Sequence, residues 1–215
     1  MDIDTKDNLA FEFFNIILPA TKVEDAINNI KDLVASGDVN HEVEDNILKA
    51  ELYVANLAQR KVPLSTRILT QISKITYSRI YSWAGKLKVE ARPAMEDMIL
   101  KITSVWESSL MDEELKLETL AFAYHAILKH KPFFDGNEKV ARLFVNYLGL
   151  KYGTCLFSVA PLKTDEASYV KFLRDLKTAD KGDLKPIKER IRNVLYISSG
   201  SLSSSKLGPS ASVRD

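Results

Sequence analysis

A chain of 215 residues that is 46% apolar and 27% charged has the material for one real core, which excludes disordered and fibrous classes. Its formal net charge of +1 gives no bulk attraction to nucleic acid or to an anionic membrane. A single cysteine, Cys155, excludes a disulfide framework and reads as a small buried hydrophobe in a reducing compartment.

In chain order, Leu9 to Leu18 is a short apolar stretch closed by Pro19. Thr21 with Glu24 has capping-box spacing and opens a helix with Val23, Ile27, Ile30 and Val34 on its buried stripe; Ser36-Gly37-Asp38 ends it. A second helix spans His41 to Arg60. Pro63 separates it from a third, in which Ile68, Leu69, Ile72, Ile75 and Ile80 recur. From Trp83 to Pro93 the glycine, the alternation and the closing proline predict an extended ribbon. A fourth helix, Ala94 to Leu110, buries Met95, Met98, Ile99, Ile102 and Trp106 as plain packing.

Two further helices follow, Leu115 to Lys129 and then one with Val140, Leu143, Phe144, Tyr147 and Leu148 on its apolar face. Gly153 to Leu162 reads as a loop. Thr164 or Asp165 caps a helix carrying Tyr169, Phe172, Leu173 and Leu176, and Gly182 separates it from the last helix, Leu184 to Leu195. The fold class is therefore all-α with at most one small hairpin: N-terminal helices at 1–64, a core at 65–195 and a flexible Ser-rich tail at 196–215. No apolar run has spanning length, and Met1-Asp-Ile-Asp is unlike a signal peptide, so a cytoplasmic location is expected, with export as an effector left open.

Chemistry concentrates between the two central helices, from His130 to Arg142. Pro132 breaks the first helix, and Asp135-Gly136-Asn137 makes the turn that opens the second. A glycine there lets backbone approach a ligand, and the free N–H groups of a helix start favour an anion. Lys139 and Arg142 share one face of the new helix, and Asp135 is a carboxylate suited to a hard divalent ion. The set describes a site for a phosphate chain with its metal.

Pro132, Phe133, Asp135, Gly136, Asn137 and Arg142 stand in register with the signature H-P-F-x-D/E-G-N-G-R-x-x-R, and the segment resembles the Fic (filamentation induced by cAMP) family. Arg79 to Gly85 is similar to the family's Y-x-W-A-G segment, which leads into a β-hairpin flap. The runs from Tyr169 and from Lys181 are similar to its closing helices. Three positions depart from the signature: Lys131 replaces the histidine, Glu138 the second glycine and Lys139 the first arginine.

The resemblance implies transfer of AMP from ATP, with Mg²⁺, to a Ser, Thr or Tyr hydroxyl of a target protein. Its catalytic base position is held by Lys131, with His130 one residue early. The nucleotide-binding set is Phe133, Gly136, Asn137, Glu138, Lys139 and Arg142, with Asn137 at the α-phosphate, and the metal ligand is Asp135. A target protein would dock on the 86–92 flap, where Lys88 stands in place of a frequent arginine. Asn40-x-x-x-Glu44-Asp45 resembles the family's inhibitory helix, with Glu44 as the residue that pairs with Arg142. The alternative is a catalytically inactive Fic-fold module that binds a nucleotide or a protein.

Overall fold

Each break in the apolar pattern ends or starts a helix. The computed structural model describes residues 41–107, 112–151, 159 and 165–200. Over these the chain forms α1 (His41–Gln59), α2 (Thr66–Tyr77), a 3-10 turn (Val89–Ala91), α3 (Arg92–Glu107), α4 (Glu113–His130), α5 (Asn137–Lys151), α6 (Glu166–Asp180) and α7 (Lys185–Gly200). The expected helix after Thr21, the stretch 9–18, the tail 201–215 and all of the 153–162 loop except the buried Val159 lie outside the described residues. Boundaries move: α2 stops at Tyr77, short of Ile80, α3 and α4 each start two residues early, and α7 continues past Leu195 to Gly200.

The centre of the molecule is α5. Every residue from Val140 to Gly149 is buried, polar ones included, so this helix is covered all round. Neighbours α1, α2 and α4 cover it, and α7 packs on α4 and α6. Across the α4–α5 hairpin, Tyr124 and Ile127 of α4 and Phe144, Tyr147 and Leu148 of α5 are all buried in one core, with Leu128 half-buried against it. Met95, Met98, Ile99 and Ile102 take the expected core places. The side chain of Trp106 lies outside the described residues.

Local chemistry sets the joints. Asp112 caps α4 by accepting from the Leu115 N–H at 2.8 Å, with Glu113 and Glu114 beside it at the positive helix end. Asp165 is the residue that caps α6, accepting from the Ser168 N–H. The α1–α2 corner is pinned from α5: the Tyr147 hydroxyl and the Lys151 ammonium both donate to the Val62 carbonyl, at 2.6 and 2.7 Å.

The expected hairpin is not formed, and among the described residues there is no strand. The reason is visible in two contacts. The Lys88 N–H donates to the Pro132 carbonyl at 2.9 Å, not to a neighbouring strand, and Val89–Ala91 coils directly into α3. Pro93, read from sequence as the end of a ribbon, sits in the first turn of that helix, where a missing N–H does no harm. Among the described residues no helix is long and apolar enough to cross a membrane.

Candidate functional site

The α4–α5 connection is held by its own backbone. Lys131 ends α4 in the left-handed conformation (φ 43°), its N–H donating to the Ile127 carbonyl at 3.0 Å. Phe133 is fully buried and anchors the turn. Asn137 clasps it twice: its Oδ1 accepts from the Phe133 N–H at 2.9 Å and its Nδ2 donates to the Phe133 carbonyl at 3.0 Å. The Asn137 amide, expected at an α-phosphate, is thus engaged in holding the loop.

Asp135 is exposed, and its Oδ1 accepts from the Gly136 N–H at 2.7 Å. Gly136 has φ +66° and lies against Tyr77; a Cβ there would stand 1.8 Å from the Tyr77 hydroxyl oxygen. That hydroxyl lies 3.4 Å from the Gly136 carbonyl, to which it donates weakly.

One turn further on, Arg142 is buried beneath the loop. Its nearest carboxylate is Glu51 of α1, with Nη2 and Oε1 3.7 Å apart and both side chains almost fully covered. At that distance the pair is an ion pair without a hydrogen bond. Arg142 Nε and Nη2, Glu51 Oε2 and the Tyr124 hydroxyl are buried without hydrogen-bond partners. Burial pushes the Glu51 carboxyl up, against the opposing pull of Arg142 and of a hydrogen bond from Asn146. Burial likewise pulls the Arg142 guanidinium down, opposed by Glu51 and, more weakly, by Tyr124 and Glu138. Burial also drives the hydroxyls of Tyr77 and Tyr124 upward, with Asp135 adding to the first and Glu138 to both. The Glu138 charge therefore belongs to the same cluster as Arg142. Lys139 is half-buried on the next position.

His130 is the exposed last residue of α4; burial, Lys129 and His125 lower its pKa, and Asp97 of α3 opposes them. Interior His125 is hydrogen-bonded, its Nε2 lying 2.9 Å from Asp180 Oδ1. The side chain of Glu44 lies outside the described residues, and the carboxylate found on Arg142 is Glu51, two helical turns further along α1.

Sequence reasoning missed Glu51, Tyr77, Tyr124 and Asn146 as members of the site. A signal existed for Glu51: it sits four after Ile47 and three before Val54, on the stripe that α1 buries, where a carboxylate needs a partner.

The donors present fit an anionic phosphate chain: two guanidinium nitrogens that make no hydrogen bond lie below a helix N-terminus, with a glycine that brings backbone close. Glu51 and Glu138 oppose it, so the fit holds when Glu51 gives way. Asp135 keeps one carboxylate oxygen free of backbone bonding. Among the described residues no group of three or more metal-binding side chains occurs.

Fold and loop together define an all-helical domain built around a helix hairpin whose Pro-Phe-x-Asp-Gly-Asn turn opens over a buried arginine. Residues 63–148 match the model of the Fic/DOC family. The fold is similar to that of a Fic domain-containing signaling protein from Bacteroides thetaiotaomicron (TM-score 0.66, 15% identity, covering 90% of this chain and 94% of that one). It is also similar to residues 134–508 of Fic-1 from C. elegans (TM-score 0.61, 16% identity, 96% of this chain and 66% of that one). A third likeness is to a Fic family protein from Desulfovibrio desulfuricans (TM-score 0.59, 12% identity, 95% of this chain and 74% of that one). No curated protein matches the sequence significantly.

Proposed function

We propose that the chain is a Fic-type protein adenylyltransferase, moving AMP from ATP to a Ser, Thr or Tyr hydroxyl of a target protein, and that its own Glu51 restrains it. The observation that carries this reading is the Arg142 guanidinium, buried under the α5 N-terminus with no hydrogen bond from Nε or Nη2 and only the Glu51 carboxylate, 3.7 Å from Nη2, to offset its charge. A buried donor left without an acceptor costs about 1–3 kcal/mol. An anionic oxygen at this place satisfies it and meets the positive end of the helix.

ATP with Mg²⁺ supplies the transferable adenylyl group and its diphosphate leaving group. Arg142 and Lys139 hold the terminal phosphates, the α5 N–H groups and Gly136 receive the chain, and the free oxygen of Asp135 takes the metal. Asn137, through Phe133, keeps the loop in shape for this. Lys131 occupies the base position and accepts a proton only when neutral. Glu51 competes for Arg142 through charge and position, the inhibitory role expected of Glu44.

One observation favours a second reading, a degenerate Fic-fold module that binds without transferring. Lys131 is exposed in a left-handed helix cap, and an ammonium group donates hydrogen bonds but has no lone pair with which to accept a proton. The test is labelling of total lysate protein with labelled ATP, beside calorimetric ATP affinity. Four forms are compared: wild type, Glu51→Gln, Glu51→Gln with Lys131→His, and Glu51→Gln with Arg142→Met. The transferase reading expects tighter ATP binding and stronger labelling in Glu51→Gln, more again with Lys131→His, and loss of both with Arg142→Met. Tighter binding with no label in any form establishes the second reading. ATP affinity indifferent to Glu51 and Arg142 removes both.

A further inference from the structure

Tyr124 of α4 keeps a hydroxyl that the fold does not use. Its side chain is fully buried and its ring lies 6.3 Å from that of Phe172, but the hydroxyl is buried without a hydrogen bond. A buried phenol usually finds a partner, and one that does not carries a cost that phenylalanine would avoid. The ring alone accounts for the packing.

The α4–α5 hairpin sets where that hydroxyl lies. Tyr124 stands six residues before the end of α4 at His130, and Arg142 five residues after the start of α5 at Asn137, so the two are level across the packed helices. Glu138 and Arg142 are the first two charges acting on the hydroxyl, ahead of Arg190. Arg190 is engaged elsewhere: its Nη2 lies 2.8 Å from Asp175 Oδ2, and its guanidinium 5.3 Å from the centroid of the Phe172 ring. Arg142 is less firmly held. Its carboxylate, Glu51, is 3.7 Å away without a hydrogen bond, and its Nε and Nη2 make none. A phenol oxygen accepts and a guanidinium only donates, so the two idle groups are complementary.

We propose that Tyr124 is the positioning residue of Arg142: when Glu51 gives way, the phenol oxygen accepts from the guanidinium and fixes its fork for the terminal phosphates of the nucleotide. That the ligand is ATP rests on the transferase reading; the contact between Tyr124 and Arg142 does not. With Glu51 in place the guanidinium is drawn to the carboxylate and the hydroxyl stays idle, as in this structure. Once released, an arginine on its long stem samples several rotamers, and ordering it again costs binding. A neutral acceptor on a buried ring preorganises the cation without cancelling its charge, as a second carboxylate would.

The contact is read from the Arg142 Nε–H resonance in the proton–nitrogen NMR spectrum of the full chain, assigned by its absence from Arg142→Met. Without nucleotide, Glu51→Gln should slow hydrogen exchange at this Nε–H severalfold, and adding Tyr124→Phe should abolish the slowing. Tyr124→Phe keeps the ring and removes an oxygen that makes no hydrogen bond, so each variant should melt no lower than its parent. By calorimetry on the Glu51→Gln background, Tyr124→Phe should weaken ATP at least about fivefold and leave AMP, which lacks the terminal phosphates, unchanged. The inference is overturned if exchange at Nε ignores Tyr124, or if ATP and AMP weaken alike. A lower melting temperature for Tyr124→Phe in the wild-type background also overturns it, since the hydroxyl would then belong to the scaffold. ATP affinity that falls with Arg142→Met but not with Tyr124→Phe overturns it too, and leaves the transferase reading standing. Exchange that depends on Tyr124 in a chain that binds no ATP supports the contact and removes the transferase reading.

Discussion

Gly136 combines two constraints, a left-handed backbone and a Tyr77 ring where a Cβ would have to sit. Gly136→Ala should lose about 1–2 kcal/mol to the backbone and about 1–3 kcal/mol to overpacking. Urea unfolding on a Tyr77→Leu background checks the division, since there only the backbone part remains. Glu51 carries the second residue-scale prediction. Burial raises its pKa above the ordinary 4.5, and a group with a raised folded pKa gives stability below the unfolded value that is lost as pH rises through the folded one. Glu51→Gln cannot titrate. Wild-type stability minus that of Glu51→Gln should therefore fall as pH rises above about 4.5, read from urea unfolding at several pH values. A flat difference would show that Arg142 and Asn146 fully offset the burial.

At the scale of elements, the apolar spacing located α1 to α5 and α7 well, because a helix in a one-core domain must turn its stripe inward. It was less discriminating for α6. Tyr169, Phe172, Leu173 and Leu176 read as one stripe, but Phe172 is 1% exposed, Tyr169 and Leu176 are half-buried, and Leu173 is 42% exposed. Phe172 seats α6, its ring 6.3 Å from that of Tyr124 and 5.3 Å from the Arg190 guanidinium. Phe172→Ala should cost about 3–5 kcal/mol. Leu173→Ala should change stability by about 0.5 kcal/mol or less in the same thermal or urea experiment. The ribbon failed as a strand for an equally local reason: alternation without a partner strand is not a sheet, and Pro132 claimed the Lys88 N–H.

For the whole molecule, α1 is not an appendage. It packs on α2 and α5 and sends Glu51 into the site, while Glu114 ties the start of α4 to Lys188 and Arg192 of α7. From sequence alone came the all-α class, most of the helices and the loop from Pro132 to Arg142, because periodicity, proline and glycine act within a few residues. The partner of Arg142 was beyond its reach. Glu44 and Glu51 both stand on α1, ninety-eight and ninety-one residues before Arg142, and local spacing cannot choose between them. Only the packing of α1 on α5 decides which carboxylate is taken out of water beside the guanidinium, and there charge must meet charge.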